Sequence, residues 1–360
     1  MENLVIDLSF WRGRRVFLTG HTGFKGSWIS LWLKQLGAEV SGYSLDYPNT
    51  SSMFYAAEIE KLLKHDIRGD IRDLNLLTKS MQSFQPEIVI HMAAQSLVRE
   101  SYVNPLNTYT TNIIGTANIF EAVRNTTSVK VVLNITSDKC YENKESLKSY
   151  CETDPMGGYD PYSSSKACSE LVSSAYRSSF FQESSVALAT ARAGNVIGGG
   201  DWSCDRIVPD AIRAFIENKP LLVRNPQAIR PWQHVLEPLL GYLVLCQQLS
   251  NNHTNYSEAW NFGPNDENAK PVSFLVDIMA NMWGNGASWH QDDSEQPHEA
   301  FYLKLDCSKA SSLLKYTPIW SLERALNETL EWYKFWHNEK KMREFTIFQI
   351  ETYQQEQSKA

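Results

Sequence analysis

Short apolar runs alternate with longer segments of helical periodicity through the first half of the chain. The runs have the length and composition of buried strands, and they cover residues 16–18, 40–45, 87–92, 129–135 and 186–191. The segments between them repeat apolar residues every three to four positions, at 27–36, 73–84, 105–125 and 161–183. Strands that alternate with helices predict an α/β fold with a doubly wound parallel sheet covered on both faces.

The pattern changes after Arg192. Strand-like runs become shorter, at 221–224 and 260–263, and helices are predicted at 206–217, 235–249, 271–283, 309–316 and 322–337. We therefore predict a first domain over residues 1–191. A smaller, mixed C-terminal substrate lobe is predicted over residues 192–234 and 263–360, and residues 235–262 are expected to pack back on the first domain.

A glycine-rich turn joins the first strand to the first helix. Gly20, Gly23 and Gly26 are spaced by three residues, which leaves N–H groups free at a helix N-terminus and lets a phosphate approach closely. Structural turns also use glycine, so the spacing alone is compatible with a plain turn. Between a strand and a helix, it predicts a Rossmann-type dinucleotide site that also includes Thr22 and Phe24.

The ends of the following strands supply the rest of the predicted cofactor site. Asp46 stands about 20 residues beyond the last glycine, where an acid binds the adenosine ribose hydroxyls. An acid there repels a 2′-phosphate, so NAD is favoured over NADP. The remaining predicted cofactor contacts are Asp70, Ile71, Ala93, Ala94, Gln95, Asn112 and Thr136.

Tyr162 and Lys166 lie four residues apart near the start of a predicted helix, so their side chains share one face. A phenol with a reference pKa of about 10 is a poor base at neutral pH. A nearby ammonium and a positively charged nicotinamide ring would lower that pKa. The spacing is common by chance, but behind a nucleotide-binding fold it predicts a catalytic pair that also contacts the cofactor.

Three polar residues, Ser137, Asp138 and Lys139, follow the predicted strand 129–135. The strand would deliver them to the carboxyl edge of the sheet. A hydroxyl, a carboxyl and an amine in sequence could bind a sugar hydroxyl, donate a proton and accept one. A turn capped by Ser or Asp is the alternative interpretation.

Arginines are dense in the second half of the chain, which suggests an anion such as a second pyrophosphate. The candidates are Arg192, Arg206, Arg224 and Arg230, with His234 beside them. The alternative is that most of them are solvated surface charges.

Bulk properties exclude several classes of protein. The 360 residues carry a formal net charge of -7, which argues against general nucleic-acid binding. No apolar run approaches the ~20 residues of a membrane span, and the N-terminus lacks the pattern of a signal peptide. The six cysteines show no metal-ligand spacing and indicate reduced thiols, so we expect a cytoplasmic protein without a metal.

Several motifs together resemble the extended short-chain dehydrogenase/reductase superfamily. They are TGHTGFKG at 19–26, GDIRD at 69–73, HMAAQ at 91–95 and YSSSK at 162–166, in the order typical of that superfamily. Within it, GHTGFKGSW, NITSDKCYEN, AGNVIGGGDW and RPWQHV resemble the nucleotide-sugar 4,6-dehydratases, specifically their CDP-glucose branch. The similarity extends over nearly the whole chain.

This resemblance implies NAD-dependent dehydration of a CDP-linked glucose to the 4-keto-6-deoxy sugar, a precursor of dideoxysugars in bacterial surface polysaccharide. It implies that Tyr162 takes the proton of the C4 hydroxyl, while Ser137 hydrogen-bonds the C4 oxygen. Asp138 would protonate the leaving C6 hydroxyl, which requires a raised pKa. Lys139 stands where the dTDP-glucose enzymes have Glu. It would remove the C5 proton, for which it must be neutral, or stabilise an enolate.

The resemblance also assigns substrate contacts and an assembly. Asn195 and Arg230 would contact the pyrophosphate or ribose, with Arg206, Arg224 and His234 as further contacts. In the superfamily, long helices such as 105–125 and 161–183 pair across a subunit interface, so a homodimer is expected and a tetramer is the alternative.

Other functions use parts of the same pattern. A nucleotide-sugar 4-epimerase or decarboxylase needs the Tyr162–Lys166 pair but no acid that expels the C6 hydroxyl. A dehydratase for another nucleotide-glucose would need a different base pocket, which the sequence does not reveal. A regulator that senses NAD without catalysis would need neither Tyr162 nor Lys166.

Overall fold

The computed structural model describes residues 6–47, 49–145, 148–184, 186–294, 301–339 and 341–359. Residues 1–5, on which the signal-peptide prediction depends in part, lie outside these ranges. Among the described residues, no helix has both the length and the apolar character needed to cross a lipid bilayer.

A parallel sheet forms the centre of the protein. The strands, β1 to β13 in chain order, are Arg15–Thr19, Glu39–Ser44, His65–Arg68, Ile88–His91, Val131–Ile135, Ala187–Arg192, Val196–Ile197, Leu221–Val223, Ile229–Pro231, Gln233–His234, Ala259–Asn261, Ala269–Pro271 and Trp289–Gln291. Within the described residues, seven of them form one sheet in the order β11-β6-β5-β4-β1-β2-β3. Every pairing in this sheet is parallel, which confirms the predicted doubly wound α/β fold.

Helices cover both faces of this sheet. Those of the described residues, α1 to α15 in chain order, are Leu8–Trp11, Phe24–Gln35, Met53–Ala56, Leu74–Phe84, Val98–Val103, Pro105–Tyr109, Gly115–Arg124, Pro161–Tyr176, Ile207–Ile216, Leu236–Asn251, His253–Tyr256, Val272–Trp283, Ser308–Leu314, Leu322–Glu339 and Arg343–Gln357. Strands β4, β5 and β6 are buried at every position, because their apolar side chains alternate between two helix-covered faces.

The two long predicted helices contain π-helical turns. Thr110–Ile114 joins α6 to α7, and Arg177–Phe181 extends α8. The first turn is adjacent to the sheet edge, because the Asn112 side chain within it pairs with the backbone of Gln95 at 2.9 Å in both directions. Such turns occur often at functional sites.

The second half of the chain adds small sheets and helices to this framework. Two-stranded sheets pair β7 with β10, β8 with β13 and β9 with β12. Strand β11 instead extends the central sheet beside β6, and it follows α10 and α11 in the chain. The mixed strand and helix content of this half agrees with the predicted fold class.

Two helical regions differ from the sequence prediction. From the sequence, a helix is predicted to follow the polar stretch 47–52 and to run to about Lys64. In the structure, α3 stops at Ala56, because Glu58 adopts a left-handed backbone with φ of 50° and a short 3₁₀ turn follows at Ile59–Leu62. Helix α15 was not predicted from the sequence. It lacks a broad apolar stripe and is held in place by the burial of Ile350 and Tyr353.

Candidate active site

A cavity of about 740 Å³ opens along the carboxyl edge of the central sheet. Its wall includes residues from the glycine loop, from the ends of β4 and β5, from the start of α8 and from the second half of the chain. Open α/β sheets bind ligands at this edge, and the volume lies within the range of small-molecule sites.

The glycine loop is packed too tightly for any side chain at two positions. A Cβ on Gly20, whose φ is 77°, would lie 2.7 Å from the backbone nitrogen of Ala93. A Cβ on Gly26 would lie 2.0 Å from the carbonyl oxygen of Gly20. Helix α2 begins after Gly23 without a side-chain cap, so its first turn presents N–H groups to the cavity.

Most of the predicted cofactor residues line this cavity. They are Gly20, Thr22, Gly23, Phe24, Gly26, Asp70, Ile71, Ala93, Ala94, Gln95, Thr136, Tyr162 and Lys166. Asn112 does not line it, but its amide fixes the backbone of Gln95, so it could act on a ligand only through that backbone.

Asp46 also lies outside the cavity wall. Its side chain is 78% exposed and its carboxylate is 3.7 Å from Nε of Arg68. Ser44 and Leu45, the two residues before it, line the cavity instead. In this structure Asp46 therefore faces an arginine and solvent rather than the cavity, and its role in choosing NAD over NADP stays a prediction.

Tyr162 and Lys166 enter the cavity from the first turns of α8, and both are buried. Burial raises the pKa of Tyr162 to about 12, while a hydrogen bond with Ser137 and the charge of Arg206 act to lower it. Burial also lowers the pKa of Lys166 to about 8. Its Nζ donates to the carbonyl oxygen of Ile135 at 3.2 Å, so this ammonium is held beside the end of β5.

Asp138 is fully buried beside Ser137 and Lys139. Its Oδ1 accepts from Oγ of Ser137 at 3.1 Å and lies 3.4 Å from Nζ of Lys139. Its Oδ2 has no hydrogen-bond partner among the described residues. A Cβ on Gly194 would lie 1.8 Å from that same oxygen, so glycine at 194 makes room for the carboxylate. The hydroxyl, carboxyl and amine therefore share one wall, as the sequence predicted.

Arg192 is a structural ion pair rather than an anion site. Its guanidinium lies 2.8 Å from Oε2 of Glu170, and both side chains are almost fully buried. Burial acts to raise the pKa of Glu170, but the Arg192 charge and hydrogen bonds from Arg192, Thr136 and Thr190 lower it. The interpretation of Arg192 as an anion ligand is therefore wrong for this structure, because its charge is already paired inside the protein.

His234 does not reach the cavity either. It is fully buried, its ring packs against Trp28 and Trp320, and its Nδ1 accepts from the backbone nitrogen of Leu236 at 3.3 Å. Burial lowers its pKa to about 3, so the ring is neutral. A neutral ring enclosed by tryptophans cannot contact a substrate phosphate, and we do not retain His234 as a substrate ligand.

The other predicted substrate residues, Asn195, Arg206, Arg224 and Arg230, all line the cavity. Asn195 has a φ of 49°, and its buried Oδ1 has no hydrogen-bond partner among the described residues. Arg206 lies 2.8 Å from Asp201, and Arg224 lies 2.9 Å from Asp205. The guanidinium of Arg230 donates to the carbonyl oxygens of Ile229 and Phe301.

Three basic residues that line the cavity, Lys25, Arg72 and Arg99, were not predicted as site residues. Lys25 lines the cavity from within the glycine loop. Burial, followed by the charges of Lys166 and Arg206, lowers its pKa to about 7. Arg99 enters from α5 and lies 3.6 Å from Asp205. The position of Lys25 between two glycines of the loop could have indicated a site residue. Nothing in the sequence, in contrast, connects Arg99 to Asp205.

The comparisons with known proteins agree with this arrangement. Residues 17–329 match the family described as GDP-mannose 4,6 dehydratase. The chain belongs to this family. A curated relative from Salmonella typhimurium, CDP-glucose 4,6-dehydratase, is 54% identical over 92% of this chain and 94% of its own length. A dTDP-glucose 4,6-dehydratase from Haemophilus influenzae is 26% identical over 89% of this chain and 98% of its own length.

Solved structures share the fold of this 4,6-dehydratase family member. An epimerase from Methanothermobacter thermautotrophicus has a TM-score of 0.79 and 22% identity, covering 92% of this chain and 95% of its own. A dTDP-glucose 4,6-dehydratase from Bacillus anthracis, solved in complex with NAD, has a TM-score of 0.75 and 19% identity, covering 91% and 98%. The predicted membership in the extended short-chain dehydrogenase/reductase superfamily is confirmed.

Proposed function

We propose that this protein is a hydro-lyase that dehydrates CDP-glucose to CDP-4-keto-6-deoxyglucose with NAD as its cofactor. The observation that carries the proposal is the convergence, in one cavity, of Tyr162 with Ser137 and of buried Asp138 with Lys139. The choice of CDP-glucose rests on the 54% identical relative of that activity. The NAD-bound dehydratase with the same fold supports the cofactor.

The glycine loop fits the pyrophosphate of NAD. Backbone N–H groups at the start of α2 are open to the cavity, and a side chain at Gly20 or Gly26 would collide with backbone atoms. NAD, when bound, would accept the C4 hydrogen as hydride, return it to C6, and contribute a positive ring that favours the Tyr162 phenolate.

The chain's own residues would carry the proton transfers. Tyr162 takes the proton of the C4 hydroxyl, and Ser137, which lines the same cavity, holds the C4 oxygen. The C4 ketone acidifies the C5 hydrogen, so Lys139, or a water molecule it orients, can remove that proton. Asp138 protonates the C6 hydroxyl, which leaves as water, and C5 is reprotonated after reduction at C6.

Substrate contacts are proposed for the second half of the cavity. Asn195, Arg206, Arg224 and Arg230 would bind the nucleotide end of the substrate. All four line the wall, where the three arginines carry the positive charge that a pyrophosphate needs and the Asn195 amide can form hydrogen bonds. The proposed lobes follow the same division, with the first domain over 1–191 and the substrate lobe over 192–234 and 263–360. Helix α10 and strand β11 support the assignment of 235–262 to the first domain, because both pack on its sheet.

We further propose a homodimer that acts in the cytoplasm and supplies deoxysugar precursors for surface polysaccharide. Exposed apolar side chains on the two long helical segments support the dimer: Leu106, Ile114 and Leu171 are each more than half exposed. Light scattering of the purified protein would measure its mass, and a monomer would contradict this proposal, whereas a tetramer is the alternative assembly.

The proposed activity is tested by incubating the purified protein and catalytic NAD with CDP-glucose, dTDP-glucose or UDP-glucose in parallel. The absorbance of a 4-keto sugar in alkali is followed together with that of NADH. We expect a keto sugar from CDP-glucose without net NADH. NADH formed in proportion to sugar would indicate a dehydrogenase, and a C4 epimer without keto sugar would indicate an epimerase.

A further inference from the structure

The second half of the cavity contains an apolar slot. Its walls are Val208 and Pro209 at the start of α9, Val223 at the end of β8, Ala228 and Val272, all of which line the cavity. These residues are neighbours, because α9 packs on β8 and α12, and the backbone nitrogen of Val272 donates to the carbonyl oxygen of Ala228 at 3.0 Å. A slot with apolar walls suits a flat ring such as a nucleobase.

A carboxylate with one unused oxygen stands beside this slot. Asp205 precedes Val208 by three residues and lines the same cavity. Its Oδ1 lies 2.9 Å from Arg224 and 3.6 Å from Arg99, and its backbone oxygen accepts from Arg224 at 3.4 Å. The side-chain hydrogen bond and the ion pairs that Asp205 forms with these two arginines use Oδ1, and its side chain is 42% exposed. Its backbone adopts a left-handed φ of 60°, which is uncommon for residues other than glycine, although aspartate tolerates it better than most.

We propose that Asp205 selects cytosine by accepting a hydrogen bond from the exocyclic amine of the base on Oδ2. This inference rests on the proposed function, because it concerns the nucleotide of the same substrate. Cytosine has an amine at C4, whereas uracil and thymine have a carbonyl oxygen there. A carboxylate accepts hydrogen bonds but cannot donate one, so a carbonyl opposite Oδ2 would be left unpaired and repelled.

Two arginines offset the repulsion that a carboxylate would otherwise exert on the diphosphate of the substrate. Arg224 and Arg99 both approach Oδ1, so they balance the charge of Asp205 and fix its orientation while leaving Oδ2 available. Asn225, whose exposed side chain also lines the cavity, is a weaker candidate. Its amide can rotate to present either an acceptor or a donor, so it can pair with either kind of base.

The test compares kcat/KM for CDP-glucose and UDP-glucose in the wild-type protein and in Asp205→Asn. The amide can donate to the carbonyl of uracil, so we expect the ratio in favour of CDP-glucose to fall by about tenfold or more. Asp201→Asn is the matched control, because it makes the same change beside a different cavity arginine, Arg206. This variant should change kcat/KM for both substrates by the same factor and leave the ratio between them unchanged.

Two outcomes would overturn the inference. The first is an equal loss for both nucleotides in Asp205→Asn, which would mean that Asp205 only positions the arginines. The second is an unchanged ratio in Asp205→Asn together with a changed ratio in Asn225→Ala, which would transfer base selection to Asn225.

Nucleotide binding separates this inference from the proposed dehydration. Calorimetric binding of CMP, UMP and TMP to the NAD-loaded protein needs no turnover. A wild-type preference for CMP that Asp205→Asn removes supports the inference even where no keto sugar forms, in which case only the proposed dehydration fails. Keto sugar from CDP-glucose with the same CMP preference in both proteins would overturn base selection by Asp205 and leave the dehydration intact.

Discussion

The two halves of the cavity are built by different physical means. The glycine half, comprising cavity residues 20–166, is shaped by the main chain, since side chains at Gly20 and Gly26 would collide with backbone atoms. The arginine half, comprising cavity residues 193–303, is shaped by charged side chains held in pairs such as Arg206–Asp201 and Arg224–Asp205. A surface formed by the main chain fits one shape of ligand. Charged side-chain pairs, in contrast, can be replaced by other residues that suit a different anion.

This difference explains how one fold serves several nucleotide sugars. The glycine half would hold the same cofactor throughout a reaction cycle, so it needs rigidity and no selectivity among sugars. The arginine half is proposed to bind a substrate and release a product, and each of these two ion pairs has one partly exposed member, with 34% of Arg206 and 42% of Asp205 accessible. Partly exposed pairs contribute little to stability, so they can change with little cost to the fold.

The largest expected effect is at Tyr162, a residue of the glycine half. Tyr162→Phe removes the group that is proposed to take the C4 proton, and we expect keto-sugar formation to fall by about 10²–10⁴-fold. Binding of NAD and of CMP should persist, because the phenyl ring keeps the packing. Tyr55→Phe is the matched control, since Tyr55 is half exposed and outside the cavity wall. Near-normal turnover of Tyr162→Phe would refute the assigned base.

The next prediction compares how much the buried Arg192 and the cavity residue Arg206 contribute to stability. Glu170→Gln leaves the Arg192 charge buried without its partner, and we expect the free energy of unfolding to fall by about 3–5 kcal/mol. Urea denaturation measures this loss. Asp201→Asn, which unpairs the partly exposed Arg206, should cost much less stability. An equal loss in both variants would contradict the distinction between structural and cavity arginines.

The pH dependence of stability provides a second readout for Glu170. Its folded pKa is lower than its unfolded pKa, so its stabilising contribution is present above about pH 4.5 and is lost as the pH falls through the folded value. The wild-type protein should therefore lose stability in acid more steeply than Glu170→Gln. Parallel acid profiles of the two proteins would contradict the lowered pKa.

The smallest expected effect tests the main-chain construction of the glycine half. Gly26→Ala places a Cβ 2.0 Å from the Gly20 oxygen, whereas Gly23→Ala meets the same oxygen only at 3.3 Å. We expect Gly26→Ala to lose about 1–3 kcal/mol of stability, together with most of its NAD affinity. Gly23→Ala should be the milder variant in thermal denaturation. The opposite order would mean that packing at the loop is not what requires glycine.

The sequence predicted the glycine half better than the arginine half. Gly20, Tyr162 and Asp138 follow buried strands or begin a helix, so their spacing and the sheet topology together place them at one edge. In contrast, Arg192 and Arg206 look alike in sequence. The first pairs inside the protein with Glu170 and the second lines the cavity, and only the tertiary structure distinguishes them.

Errors in the prediction have the same origin. His234 lies only four residues beyond the cavity residue Arg230, yet the packing of Trp28 and Trp320 encloses its ring. The pairing of Arg99 with Asp205 joins residues more than 100 positions apart, and periodicity does not reveal such a contact. Local patterns predict elements and their edges, whereas long-range charge pairing has no signal in a single sequence.

Isotope transfer tests the central claim most directly. CDP-glucose labelled with deuterium at C4 would be converted by the protein at catalytic NAD, and the product would be analysed by NMR. We predict that the deuterium appears at C6 of the 4-keto-6-deoxy sugar, because the hydride taken from C4 returns to C6 within the same cavity. Deuterium retained at C4, or lost to the cofactor pool or to solvent, would contradict the account.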